Sequence, residues 1–438
     1  MKAHSLILSC AILLIAGASH AENWPQWRGP AFNGSSPDTG LPETIGKTEN
    51  LLWTTPLPGR SGATPIIWGD KVFVSSADGA NKDLLAMCID RKDGKVLWKK
   101  VVAPSLDRNH GKNSNMTSPS PVTDGKLVIF FYGTGDLAAY DLDGKELWNR
   151  NITKDHGKFA IMWGYGSSGL LYKDKLYIPV LQRDKNTYNQ SEDQAKTVDS
   201  FILAIDPKTG KDLWKHIRPS DAPQETRESY ATPIPYEING RTEIVMIGGD
   251  HVTGHNPENG EEYWRFGSWN PTKIGHVRLV PSVAISDGII YAATPKHLFP
   301  FFAIKGGGKG DVTKTHEAWT LPKELSPDVC TPAVYKSMLY ILDGDRKHLL
   351  CVDPKTGDQK WKGQVPGKPT YWCSPTVADD KIYVINEAGD VTVCAVGPEF
   401  KILQTFSLGD TICYSSIAVA NSQIYIRTGQ NLYCFGKK

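Results

Sequence analysis

The chain has 438 residues, with 49 basic against 47 acidic side chains and a formal net charge of +2. So even a balance, with no long basic run, argues against a nucleic-acid partner. The length exceeds what one ordinary core needs, which implies several domains or a repeat. The 13 Trp, 17 Tyr, 41 Gly and 29 Pro favour short strands and many turns over long helices.

The N-terminus reads as a targeting segment. Lys2 supplies a positive start, Leu6 to Ile15 is a short apolar run, and Ser19-His20-Ala21 places small residues where a signal peptidase reads. Residues 1–21 are therefore expected to be removed after Ala21. The apolar run is too short to span a bilayer, and no later stretch is long and apolar enough to do so. Cys10 sits too early for a lipoprotein cysteine. Seven cysteines follow: Cys88, Cys330, Cys351, Cys373, Cys394, Cys413 and Cys434. An odd number leaves at least one unpaired within the chain.

Residues 22–47 form an N-terminal arm containing Trp24-Pro25-Gln26-Trp27-Arg28-Gly29-Pro30 and Asn33-Gly34. A strand follows at Leu51-Leu52-Trp53-Thr54-Thr55. From there a two-part unit recurs. Its first part is a small-residue or proline stretch, a polar turn and an apolar strand. Thr64-Pro65-Ile66-Ile67, Thr331-Pro332-Ala333-Val334 and Ser374-Pro375-Thr376-Val377 open three copies.

The second part is an apolar strand, an Asp–Gly turn and a strand bearing Trp. It is clearest at Ala204-Ile205-Asp206 through Gly210 to Trp214, and at Cys351-Val352-Asp353 through Gly357 to Trp361. In that turn Asp bonds the backbone two residues on, Pro pre-sets φ, and Gly accepts the positive φ of a bulged hairpin.

Both parts together make four antiparallel strands, which is one blade of an all-β propeller. Inner strands begin near Gly62, Ser118, Ser167, Ala231, Pro281, Cys330, Cys373 and Ser415, giving eight blades. Seven is the runner-up, because Lys305 to Trp319 is irregular. The last copy ends before its Trp strand, so the segment around Trp53 is expected to complete it and close the ring over residues 48–438. The repeated Trp side chains are expected to pack between blades. The cysteines replace Ala139 and Ala204, or Ala63, Ser118 and Ala231, of sister blades and read as small buried residues, with inter-blade disulfides as the alternative. Gly306-Gly307-Gly308-Lys309-Gly310 lacks the Ser or Thr of a phosphate loop and reads as a hairpin loop. Arg183 to Asp199 is an insertion between the second and third strands of the third blade.

The pattern from Ala204 to Trp214 resembles the pyrroloquinoline-quinone (PQQ) type of propeller repeat. The arm motif is similar to that of secreted PQQ-binding-like repeat proteins. A more distant similarity is to the propeller subunit of the outer-membrane protein assembly machine. The resemblance implies the propeller fold and a secreted or periplasmic location. Enzymes and non-enzymes share the repeat, so it leaves activity open. PQQ alcohol dehydrogenases carry an adjacent Cys-Cys pair, absent here, and their calcium and base residues find no match. No cofactor is therefore expected, with PQQ and calcium as the alternative.

Ligands of propellers sit at the channel mouth, lined by the loops that lead into the inner strands. The candidates are Arg60; His110, Asn113 and Asn115; His156, Trp163 and Tyr165; Glu228 and Tyr230; His276 and Arg278; Asp328; Tyr371 and Trp372; and Asp410. Rings mixed with hydrogen-bonding groups suit a sugar or another polar ligand. His110 and His156, in similar His-Gly-Lys loops, raise a metal or proton-transfer reading, but surface histidines more often do neither, and no metal is expected. The expectation is a monomeric binding or scaffold module for a protein, peptide or glycan. The alternatives are a quinoprotein-like oxidoreductase and a carbohydrate-active enzyme using Glu228, Asp328 or Asp410.

Overall fold

The computed structural model of the chain describes residues 23–79, 82–104, 116–184, 198–267, 269–410 and 412–437. Residues 1–21, expected to be a targeting segment and including Cys10, and most of the 183–199 insertion lie outside the described residues, as do His110, Asn113 and Asn115. The remainder forms eight antiparallel blades around a central channel. Blade 1 runs Ile66–Trp68, Lys71–Asp78, Asp83–Asp90 and Val96–Ala103, from axis to rim. The inner strands of blades 2 to 7 are Val122–Thr123, Leu170–Tyr172, Ile234–Ile238, Ala284–Ser286, Ala333–Tyr335 and Thr376–Ala378. Each begins three or four residues after the start read from sequence.

Blade 8 closes the ring. Its strands Ala418–Ala420, Gln423–Arg427 and Asn431–Phe435 come from the C-terminus, and the outermost is Leu51–Pro56. Trp53 pairs with Cys434 and Thr54 with Tyr433 in that last ladder. The turn chemistry is as expected. Asp206 accepts the amide of Lys208 at 2.9 Å, and Gly210 sits at φ 71. The ladder slips by one residue just before the Trp strand, at Ala204/Ile205 and again at Cys351/Val352.

The Trp series interlocks neighbouring blades. The indole of Trp148 donates to the carbonyl of Pro207 in the next blade's turn at 2.8 Å, and Trp319 donates likewise to Pro354 at 3.0 Å. A Cβ on Gly210 would stand 2.6 Å from the Trp148 ring. The turn glycine thus lets the next blade rest on the indole. Directly opposite Trp in six of the outer ladders stands a small residue: Cys88, Ala139, Ala204, Ala303, Cys351 or Cys434. All seven described cysteines are buried free thiols.

Blade 4 departs from this plan. Gly254 faces Trp264, and a Cβ there would lie 2.3 Å from the indole nitrogen. Trp264 folds over its own sheet and donates to Glu243 at 2.7 Å. The glycine-rich segment after Lys305 is the loop between the outer strands of blade 5, as read from sequence. Its Gly310–Asp311 also adds, in parallel, to the edge of blade 4 beside Trp264 and Arg265.

The N-terminal arm crosses the base of the channel. Trp24 and Ile67 exchange backbone bonds in blade 1, and Thr123 of blade 2 donates to Pro25 at 3.0 Å. Beyond the axis, Val334 of blade 6 donates to Asn33, and Val377 of blade 7 donates to Gly34, both at 3.0 Å. Arg28, fully buried, gives its guanidinium to the carbonyls of Pro332 and Pro375. The arm then meets Asp379 and Ser422, which lie in turns after inner strands. It therefore covers the face opposite the mouth.

Candidate functional site

The channel is a well with a built wall. One hydroxyl per blade stands at the same level, just before each inner strand. The amide of Thr64 donates to Ser120 Oγ at 2.9 Å, and that of Ser120 to Ser168 Oγ at 2.9 Å. The same step runs on through Thr232, Ser282, Thr331 and Ser374 to Ser416. These side chains line a cavity of about 340 Å3, and Trp27 of the arm also lines it, at the base. The signal was present in sequence as the repeated Ser/Thr before the inner strand, five times followed by Pro. It was read there as the small-residue or proline opening of the repeat, and the ring was not foreseen.

Aromatic side chains rise above this ring. Trp163, Tyr230, Trp372 and Tyr414 all line the well. Trp163 is 45% exposed, the one Trp, Tyr or Phe among the described exposed large hydrophobics. Carboxylates hold the ring edges. The Trp163 indole donates to Glu225 at 3.0 Å, and the Trp372 indole to Glu387 at 3.3 Å. Tyr414 gives its hydroxyl to Glu387, and Tyr230 gives its own to Glu228, each at 2.9 Å. Tyr414, Glu225, Glu387 and Trp27 were not read from sequence as site residues. Two of them lie outside the lead-in loops: Glu387 follows the second strand of blade 7, and Trp27 belongs to the arm.

Arg278 also lines the well. Both its terminal nitrogens reach Asp328 at 3.1 Å, and Glu225 lies 3.9 Å from its Nε. Asp328 further accepts the amide of Lys296 at 3.0 Å. Arg278 and Asp328 therefore neutralise each other at the mouth.

The other candidates lie elsewhere. Tyr165 is buried against Phe131 and Phe159, with its hydroxyl on the Pro179 carbonyl at 2.5 Å. Tyr371 is fully buried and bonds Pro366 at 2.7 Å. In both loops the neighbouring Trp, not the Tyr, faces the well. Glu228 is buried behind the rim and accepts from Arg183, Tyr230 and the amide of Met162. Burial pushes its carboxyl above the usual range, with Arg183 pulling the other way. Asp410 caps Thr428 and Asn431 of blade 8. Arg60 is half-buried near Tyr414, and His276 is exposed at the rim.

His156 ends the short helix Ile152–His156 on the outer side of blades 2 and 3 and bonds Asp212 at 2.9 Å. Its helix is carried by the outer strand of blade 2, which takes it away from the axis. No group of three or more His, Cys, Asp or Glu among the described residues is placed to hold a metal. The thiols nearest the mouth point into the walls. Cys330 Sγ lies 3.3 Å from the carbonyls of Tyr371 and Cys373, and Cys373 Sγ lies 3.4 Å from that of Cys413. Burial pushes all three thiols up, so they are inert.

The chain matches the family described as outer membrane protein assembly factor BamB over residues 44–163 and 198–399. It is 21% identical over 247 residues to the outer membrane protein assembly factor BamB of Burkholderia pseudomallei, covering 56% of this chain and 52% of that protein. It is 23% identical over 225 residues to a polyvinylalcohol dehydrogenase of a Pseudomonas species, covering 50% of this chain and 31% of that protein. The chain thus spans about a third to a half of the length of these curated relatives. Among solved structures, BamB of Moraxella catarrhalis has a TM-score of 0.60 at 14% identity, covering 88% of this chain and 99% of that one. The quinohemoprotein alcohol dehydrogenase of Comamonas testosteroni has a TM-score of 0.65 at 13% identity, covering 95% of this chain and 81% of that one. Both likenesses are of fold. The family match extends over well more than half of the residues, in the same blades that carry the Asp–Gly–Trp repeat, and the chain belongs to the BamB-like family of PQQ-type β-propeller repeat proteins.

Proposed function

We propose that this propeller is a binding or scaffold module acting outside the cytoplasm, and that it receives part of a protein, peptide or glycan at its channel mouth. The observation that carries the reading is the well itself. It is closed at its base by the arm, walled by hydroxyls and rimmed by four aromatic rings with fixed edges. Concave sites of this size with a few placed polar groups are where ligands bind. Relatives named for outer membrane protein assembly support a binding role and an extracytoplasmic location. No helix among the described residues is long and apolar enough to cross a membrane.

Oxidoreductase chemistry is the second reading, favoured by dehydrogenase relatives. The described lining residues do not fit PQQ with calcium. That quinone carries three carboxylates, and calcium wants six to eight oxygen ligands. Arg278 is the sole cation of the described lining, and Asp328 already occupies it. The carboxylates raised for glycoside chemistry are also engaged: Glu228 by Arg183, Asp328 by Arg278 and Asp410 by Thr428.

The test is capture from cell-envelope extract on immobilised protein, compared with Trp163→Ala/Trp372→Ala. Material retained by the parent and lost by the double variant, at equal melting temperature, is the expected result. Equal retention by both would put binding elsewhere and end the proposal.

A further inference from the structure

We infer that the channel mouth is a sugar clamp, in which two opposed aromatic walls take a neutral pyranose at the end of a glycan. This rests on the mouth being the binding site. The first wall is Trp163, leading into blade 3, with Tyr230, leading into blade 4. The second is Trp372, leading into blade 7, with Tyr414, leading into blade 8. In an eight-membered ring, blades 3 and 7 are four steps apart, as are 4 and 8. The walls therefore face each other across the well that all four residues line.

Both walls are built alike. Each indole N–H is tied to a carboxylate, Glu225 or Glu387, and each phenol to a carboxylate, Glu228 or Glu387. These bonds take up the polar edges of the rings. What remains to a ligand is flat, apolar, electron-rich face, which suits the C–H faces of a pyranose. Below lies the hydroxyl ring. A hydroxyl has one donor and two acceptor positions, and here each of the seven that receive an inter-blade amide has used an acceptor position. The O–H groups are left to donate, and the hydroxyl and ring oxygens of a sugar accept.

Charge and backbone exclude the alternatives. Arg278 and Asp328 cancel, so an anionic sugar meets no spare cation in the described lining. A peptide that joins a sheet needs unpaired edge amides. At this level those amides are already given to the neighbouring hydroxyls.

The experiment uses intrinsic tryptophan fluorescence and calorimetry on the full chain. The probes are cellohexaose, maltohexaose, xylohexaose and chitohexaose, with hexagalacturonate and a ten-residue polyproline peptide as the charged and peptide arms. At least one neutral hexasaccharide is expected to bind saturably. Trp163→Ala and Trp372→Ala should each weaken it about tenfold or more, with unchanged melting temperature, and hexagalacturonate should bind at least about tenfold more weakly. No binding of any neutral probe at millimolar concentration overturns the sugar clamp, as does binding indifferent to both substitutions. If hexagalacturonate or the peptide binds instead and needs Trp372, the mouth remains the binding site and only the sugar assignment falls. If no probe shows tryptophan-dependent binding, both fall.

Discussion

Arg28 fixes the plug under the well. It is a buried cation without a carboxylate partner among the described residues. Its guanidinium is solvated by the carbonyls of Pro332, Pro375 and Asn33, and burial pushes its pKa down to about 9. Arg28→Met would keep the length and remove the charge, but it strands these carbonyls. Each lost bond costs about 1 kcal/mol, against some relief of desolvation. A loss of about 2 kcal/mol in urea unfolding is expected. Gly34→Ala should cost at least as much, because a Cβ there would lie 2.0 Å from Arg28 Nη2 and φ is +78°. Asp250 gives a pH-dependent case. It is buried, and desolvation lifts its carboxyl from 3.8 to about 6. Between those values the folded chain holds a proton that the unfolded chain has released. Stability therefore falls as pH rises through that window, by up to about 3 kcal/mol. Asp250→Asn should remove this slope and raise stability at pH 7, since Asn also tolerates the residue's φ of 63°. Parallel melts of both proteins from pH 4 to 7 check it, and an unchanged slope would assign the effect to other groups.

Among the elements, the Trp of the outer hairpin is held in two ways, against the next blade or over its own. Trp148 donates to a neighbouring carbonyl at the surface, whereas Trp264 donates to Glu243, whose side chain is fully buried beside Arg241. Trp→Phe removes the N–H in both places and a similar volume. At Trp148 the freed carbonyl finds water, for about 1 kcal/mol. At Trp264 a buried carboxylate oxygen loses its donor, for about 2–3 kcal/mol. Urea unfolding of the two variants should therefore differ by at least about 1 kcal/mol, and equal losses would mean that the blade 4 arrangement has no energetic consequence. The regular hairpins were legible because their chemistry is local: Asp, Gly and Trp at fixed offsets. The blade 4 exception was half legible. Gly254 and the irregular Lys305 to Trp319 stretch are visible in sequence, but the parallel pairing of Gly310–Asp311 is a tertiary event with no local signature. The rim was legible as a set of loops and poorly as a set of side chains. Trp372 faces the well and its neighbour Tyr371 the core, and Trp163 and Tyr165 divide the same way. Lead-in loops have no two-residue period from which to read a face.

At the scale of the whole molecule, the ring is closed by residues from opposite ends of the chain. Leu51–Pro56 completes the sheet that ends at Phe435. One apolar cluster joins Trp24, Leu41, Ile45 and Trp53 to Tyr425, Ile426 and Cys434. Closing so long a loop adds little entropy cost beyond that of a shorter one, because the cost grows only with the logarithm of length. Contacts this distant in sequence do slow folding and leave edges exposed until they form. A chain beginning at Leu57 would lack the outer strand of blade 8 and the plug. It would present the Asn431–Phe435 edge and an uncovered apolar face, which is a template for pairing with another chain. The expected outcome is loss of a cooperative melt, with dimers or larger species on size-exclusion chromatography. A synthetic peptide of residues 23–56, added in excess, should restore a monomeric, cooperatively melting complex, since it supplies both strand and plug. If the shortened chain is instead monomeric with the parental melting temperature, the other seven blade interfaces suffice to hold the ring, and the terminal strand is a passenger rather than its closure.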